Sequence, residues 1–384
     1  MPITGIICEY NPLHLGHQKQ IDHLRKLGHG IVCLMSGNFV QRGHPAIIDK
    51  MARARAAIDC GADLVLELPV TAALSSAEGF ASGGVAILSR LCNGLCFGGE
   101  TADKDALIDT AKALLSPVFP PALRQHLDKG LSFPAARQAA LADMGLDTAL
   151  LETPNNILAV EYCKAILSLN AAMEIIPILR QGDYHDTWAD QENPSATAVR
   201  QLMVAGSDFM QYIPKKAQPA VANAQIHSLQ YGEKAILYRL RTMMDAEFEA
   251  LPYGSEGLWR KLMHACREEN SLEQIIAATK SKRYTRTRID RMVMCAFLGI
   301  TAEDVRSPAP YCRVLALNDR GRAILKQANA EGFFVNIGTD TRHPYQDLER
   351  RATALYGLFA VNTEPPNAEE KYRVYYQKGK EYEL

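Results

Sequence analysis

Across residues 1–208, short continuously apolar runs alternate with longer segments whose apolar positions recur every three or four residues. The runs at 5–9, 31–35, 63–68, 95–97 and 174–179 predict strands. The periodic segments at 16–27, 49–60, 77–91, 103–115, 156–169 and 195–205 predict helices. The strand runs lack polar alternation, the pattern of strands buried on both faces, so a parallel sheet with helices on both sides is expected. Pro117 and the Pro120-Pro121 pair break the fourth long helix, with short helices expected over 121–144. From 209 to 305 the pattern turns helical, at 234–249, 257–268, 271–278 and 285–298. From 306 onwards strands at 311–317 and 333–337 and helices at 320–330 and 345–356 suggest a small α/β unit. The charged, Tyr-rich tail at 369–384 is expected to fray or to dock late. The fold class read from the chain is α/β: a parallel-sheet domain (1–208), a helical region (209–305) and a small C-terminal α/β unit (306–384).

Composition narrows the class. At 384 residues the chain suits two or three domains, at about 150 residues each. With 42 Lys+Arg against 43 Asp+Glu, it is no globally basic nucleic-acid coat protein, although a local basic patch stays open. No apolar run approaches the ~20 residues of a membrane span, and residues 1–5 show no signal-peptide pattern. Nine cysteines form no CxxC pair; only Cys92 and Cys96 lie close. An odd, scattered set in apolar surroundings reads as reduced buried thiols of a cytoplasmic protein, and zinc spacing is absent, so no metal ligand is predicted.

The chemistry concentrates between the first strand and first helix, where Leu13, His14, Leu15, Gly16 and His17 follow Glu9, Tyr10, Asn11 and Pro12. Two imidazoles at a helix start, with amides and the helix dipole facing outward, favour an anion. Gly16 lets a ligand approach the backbone. Imidazoles can stabilise charge growing on a phosphate and on leaving pyrophosphate. As two surface histidines the pair would mean nothing; its position after an apolar strand argues otherwise.

HxGH in this position resembles the signature of the HIGH-type nucleotidyltransferase superfamily. A second signature of those enzymes, a hydroxyl-rich helix start ending in Arg, is met by Ser195, Thr197 and Arg200, with Ala196 where the usual form carries another hydroxyl. Seven segments then occur in one order: EYNPLHLGH (9–17), MSGNFVQRG (35–43), ELP (67–69), FGGE (97–100), PNNILAVEY (154–162), YHD (184–186) and KRYTRTR (282–288). Together they resemble the tRNA(Met) cytidine acetate ligase family, from residue 3 to about 360. The resemblance implies a Rossmann-like ATP-binding catalytic domain and Mg²⁺-ATP as substrate. It also implies activation of acetate as acetyl-adenylate and acetylation of N4 of the wobble cytidine of elongator tRNA(Met). It implies an ATP site over Ile7, Cys8, Glu9, Tyr10, Asn11, Pro12, Leu13, His14, Leu15, Gly16, His17, Gln18, Lys19 and Gln20, joined by Gly98, Asn155, Arg180 and Ser195. His14, His17, Thr197 and Arg200 would hold the triphosphate during reaction.

Three further segments are read from the residues themselves. Gln41 and Arg42, on a polar loop at the carboxyl edge of the sheet, could order acetate or cytidine; an ordinary solvent loop is the alternative. Tyr184, His185 and Asp186 could form an acid/base pair or a hydrogen-bonded turn. Residues 280–291 carry six cations against the single acid Asp290. There Lys282, Arg283, Arg286 and Arg288 suit RNA phosphates, and Tyr284 suits base stacking, unless the run is simply a solvated helix face. Two rival readings remain: a nucleotidyltransferase acting on a small phosphorylated metabolite, and a non-catalytic RNA-binding protein that senses ATP.

Overall fold

Every residue of Gly30–Ser36 is buried, which an apolar strand achieves only inside a sheet covered on both faces. The computed structural model describes residues 1–180, 194–328, 333–335 and 344–379. Its strands are β1 (Ile3–Cys8), β2 (Gly30–Ser36), β3 (Phe39–Val40), β4 (His44–Pro45), β5 (Leu64–Leu68), β6 (Gly94–Gly99), β7 (Glu174–Leu179), β8 (Cys312–Asn318), β9 (Phe334–Val335) and β10 (Tyr375–Gln377). The main sheet runs β10-β8-β5-β2-β1-β6-β7, with β9 also on β8. All its pairings are parallel except β5 with β8. The five strands expected before residue 208 and their parallel pairing are present.

Strand alternation sorts the two cores. Ile7, Val32, Leu34, Leu66 and Phe97 pack on one face, with helices Ala77–Leu88, Lys104–Leu115 and Pro154–Ser168. Ile6, Ile31, Cys33, Met35 and Val65 pack on the other, with helices Leu15–Lys26 and Lys50–Asp59. A third core joins the hairpin β3–β4 to the helical region, through Phe39, Ile236, Leu262, Ile276 and Met292.

The described strands of residues 306–384, β8, β9 and β10, all join the main sheet. β8 enters the main sheet antiparallel to β5, and its run Cys312–Ala316 is buried there. The helix Pro344–Tyr356 instead gives Leu348, Ala352 and Tyr356 to the helical core. Of the two expectations for the tail, its described part docks: Tyr375–Gln377 adds a parallel strand beside β8. The expected strand at 333–337 is described only as Phe334–Val335. Among the described residues no helix is long and apolar enough to cross a membrane. All nine cysteines are free, and only Cys8 is not fully buried.

A charged cluster pins the C-terminal elements to the sheet. Lys50 Nζ lies 2.7 Å from both Glu67 Oε1 and Glu369 Oε2. Arg313 pairs with Glu369, and Thr353 Oγ1 donates to it. Glu349 accepts from Val70 N at 2.9 Å. Burial, and then the charge of Glu67, push the Glu349 carboxyl up to about 7. The folded chain thus holds this proton more tightly than the unfolded one. The associated stability is full below the unfolded pKa and is lost as pH rises through about 7. Glu349→Gln keeps an acceptor for Val70 and removes the titration. It is expected to match the wild type at about pH 4 and exceed it by roughly 1–3 kcal/mol at about pH 8 in urea unfolding. Equal pH dependence in the two proteins would contradict this assignment.

Candidate active site

In the sheet order β2-β1-β6-β7, the chain leaves β1 towards β2 and returns on its other side at β6. Ligands bind beyond the carboxyl ends of such strands, where the order reverses. The loops after β1, β6 and β7 carry the predicted residues to that place.

After β1 the backbone turns sharply. Tyr10 holds a left-handed φ of 44°, kept there by a side chain only 1% exposed. The helix Leu15–Lys26 begins on a capping box made of the two histidines. His14 Nδ1 accepts from Gly16 N at 3.1 Å, and His17 Nδ1 accepts from His14 N at 3.3 Å. Since each Nδ1 is an acceptor, each ring carries its proton on Nε2. The rings lie 3.8 Å apart between centroids. A Cβ on residue 16 would meet His14 Cε1 at 2.9 Å, so the glycine permits the cap. Capping also uses one of the amides that the sequence suggested would face a ligand.

The His14 ring is buried, and its Nε2 has no hydrogen-bond partner among the described residues. Burial, reinforced by Arg180 and Arg200, lowers its pKa to about 3. Desolvation, then His14 and Arg180, hold His17 well below the usual histidine range. Near pH 7 both rings are therefore neutral Nε2–H donors.

Two guanidinium groups flank them. Arg180 follows β7 and donates to Asn155 Oδ1 at 3.2 Å, while Asn155 Nδ2 donates to Glu100 Oε1 at 2.6 Å. Glu100 also accepts from Thr153 Oγ1 at 2.9 Å and from Asn156 N at 2.8 Å. Desolvation raises its pKa, but these donors together outweigh it and leave the carboxyl below its ordinary value. The aliphatic stem of Arg180 passes over Gly98, where a Cβ would lie 2.9 Å from Cγ. From the helix Ala196–Val204, Arg200 reaches back to Asn11 O at 2.7 Å and to Thr197 Oγ1 at 3.0 Å. Ser195 caps that helix, accepting from Ala198 N at 3.0 Å. His14, His17, Asn155, Arg180, Thr197 and Arg200 are thus brought together beyond the carboxyl ends of the strands.

Other predicted contacts face elsewhere. Ile7, Tyr10 and Leu13 have buried side chains, and Pro12 is buried with them. Cys8 is half-buried and its thiol is pushed up by burial. Gln18 donates to Cys60 O at 2.9 Å and Gln20 to Cys96 O at 3.2 Å, fastening the helix to its neighbours. Lys19 is exposed and Leu15 half-buried. Tyr184, His185 and Asp186 lie outside the described residues.

Gln41 and Arg42 sit on the turn between β3 and β4, both half-buried. The Gln41 backbone N–H donates to Glu9 Oε1 at 2.9 Å, tying this turn to the loop after β1. Arg53 carries no sequence signature, because a lone arginine within a helix ordinarily faces solvent. It is fully buried and donates to Ile48 O, Glu9 O, Ser36 O and Gly37 O. Glu100 was likewise visible only as part of FGGE.

The basic segment is less available than its composition suggested. Arg286 makes two 2.6 Å bonds to Glu273, and Arg283 pairs with Glu256 at 3.1 Å. Arg288 donates to Tyr253 O at 2.9 Å. Tyr284 packs in the helical core and donates to Glu256 O, so it is no exposed stacking platform. Lys280 and Lys282 are exposed. The Arg283 and Arg286 pairs are exposed ones, which hold weakly and can exchange a carboxylate for a phosphate.

This arrangement suits a polyanion held by two neutral imidazole donors and two guanidinium groups at a helix start. The chain matches the HIGH Nucleotidyl Transferase family over residues 1–371. It is 35% identical to the tRNA(Met) cytidine acetate ligase of Clostridium perfringens (strain SM101 / Type A), over 93% of this chain and 95% of that one. It is 39% identical to the ligase of the same name from Clostridium novyi (strain NT), over 85% and 87%. Among solved structures, it resembles crystalline Thermotoga maritima TmcAL with TM-score 0.89 and 28% identity, over 99% of this chain and all of that one. The same enzyme bound with alpha-thio ATP matches with TM-score 0.87.

Proposed function

The chain belongs to the HIGH nucleotidyl transferase family and, within it, to the tRNA(Met) cytidine acetate ligases, and we propose that it joins acetate to a tRNA cytidine with ATP. The observation that carries the proposal is the pair of neutral imidazoles, His14 with an unpartnered buried Nε2–H, between Arg180 and Arg200.

An acetate oxygen attacks the α-phosphorus of ATP; the bond to the bridging oxygen breaks and pyrophosphate leaves. His14 and His17 donate to the phosphate oxygens where charge accumulates, and Arg180 and Arg200 neutralise it. Thr197 orients Arg200, and Asn155, held by Glu100, orients Arg180. The backbone of 7–20 and of Gly98 frames the nucleotide. When bound with ATP, Mg²⁺ would supply charge neutralisation on the triphosphate. Among the described residues no group of three or more His, Cys, Asp or Glu could hold a metal ion, so phosphate oxygens would provide most of its coordination. The N4 amine of the wobble cytidine of elongator tRNA(Met) then attacks the acetyl carbonyl, losing a proton as AMP departs. Gln41 and Arg42 order acetate or the cytidine, while Lys282, Arg283, Arg286 and Arg288 meet the RNA backbone.

The test is mass analysis of nucleosides from bulk tRNA incubated with protein, ATP and acetate. An acetyl group on cytidine, absent when acetate is omitted, is expected. Unmodified tRNA would contradict the proposal and favour a transferase acting on a small phosphorylated metabolite.

A further inference from the structure

The hairpin β3–β4 has two neighbours. One side touches the loop after β1 through Gln41 and Glu9. The other is wedged against the helix Arg286–Leu298. Gly43 has a φ of 80°, and a Cβ there would lie 2.5 Å from Arg291 N and 2.7 Å from Asp290 O. Just beyond this wedge lies a cavity of about 180 Å³ that the adenylation chemistry does not use.

Its apolar walls come from Ile236, Ile276, Val293 and Met294. Its polar lining carries three carboxylates, Glu233, Glu273 and Asp290, against the guanidinium of Arg286, the imidazole of His44 and the amide of Gln230; Arg286 already occupies both oxygens of Glu273, which leaves Glu233 and Asp290 as the acceptors for a ligand. Asp290 is only 6% exposed, 3.8 Å from His44 Nε2 and 3.6 Å from Arg286 Nε. A ligand matched to these walls and carboxylates would have apolar faces and N–H donors on its edge. The exposed Lys280 and Lys282 lie on the segment leading into the same helix, where they can meet phosphates. Apolar faces, amine donors and an attached phosphate chain together describe one nucleotide of a single-stranded RNA.

We propose that this cavity receives an unstacked, amine-bearing nucleobase of the RNA substrate, a neighbour of the one modified. The inference rests on the ligase reading and adds a specificity site to it. The hairpin would then place two adjacent nucleotides on its two sides, one at the adenylate and one in the cavity.

The test uses full-length protein and an anticodon stem-loop RNA, intact or with single abasic positions, read by fluorescence anisotropy. Gln230 is exposed at the mouth of the cavity, so Gln230→Trp fills the mouth without entering the core. The variant is expected to bind the intact RNA about 10-fold more weakly, a loss of the size of one base contact. One abasic position should weaken wild-type binding equally and leave no further effect of the substitution. Glu233→Gln, which keeps an acceptor for Leu272 N, should weaken the intact RNA and not the abasic one. Equal binding of the intact RNA by wild type and both variants would overturn the proposal. So would the same loss on every abasic RNA. Acetate-dependent pyrophosphate exchange, run without RNA, reports separately on the ligase reading and should be unchanged in Gln230→Trp.

Discussion

His14→Asn is expected to slow acetate-dependent ATP–pyrophosphate exchange by about 10²–10³-fold, the usual effect of removing one preorganised donor from a developing anion. Its thermal midpoint should barely move. The argument separates two jobs done by one ring. Nδ1 caps the first helix by accepting from Gly16 N. Nε2 is a buried donor left for the ligand. Asparagine is a good N-cap and preserves the first job, but its short side chain cannot place a donor where Nε2 stands. His14→Ala loses both and should add about 1 kcal/mol of destabilisation. The pH behaviour gives a second readout. Folding lowers this pKa to about 3, so the stability it contributes is present above the unfolded value and lost as pH falls below it. The asparagine variant should therefore resist acid unfolding better than wild type while remaining slow at neutral pH. Wild-type exchange in His14→Asn would remove the ring from the chemistry.

Arg53→Met is expected to destabilise the fold by about 3–5 kcal/mol, since each buried acceptor left without a partner costs about 1–3 kcal/mol. The fully buried guanidinium reaches Glu9 O at 2.7 Å, Ser36 O and Ile48 O at 3.0 Å, and Gly37 O. These carbonyls end β1 and β2 and flank the loop carrying Gln41 and Arg42. Methionine fills similar volume but leaves four buried acceptors unpaired. Arg53→Lys should recover little, because an ammonium cannot reproduce the planar fork. Urea midpoints at constant m-value measure the effect. A loss below about 1 kcal/mol would show that water replaces the guanidinium at these carbonyls.

The parallel half of the sheet was legible because its strands are apolar at nearly every position, as β2 and β5 are. The HxGH loop was legible because motif and strand end coincide. β8 was misplaced because an apolar run states burial and not strand direction or partner. Its antiparallel place beside β5 depends on contacts almost 250 residues apart, such as Cys312 with Glu67. Arg53, Lys50 and Glu369 were invisible for a related reason. Charged residues read as solvated unless their partners are known, and those partners come from distant segments. In 280–291 the same ignorance worked in the other direction. Composition counted six cations, while the structure gives Arg283 and Arg286 acidic partners and buries Tyr284.

The most direct test of the central claim is exchange of labelled pyrophosphate into ATP by the purified protein, with and without acetate and in the absence of RNA. Adenylation of acetate by this site predicts exchange that requires acetate and collapses in His14→Asn. Exchange that ignores acetate, or none in its presence, would contradict the account.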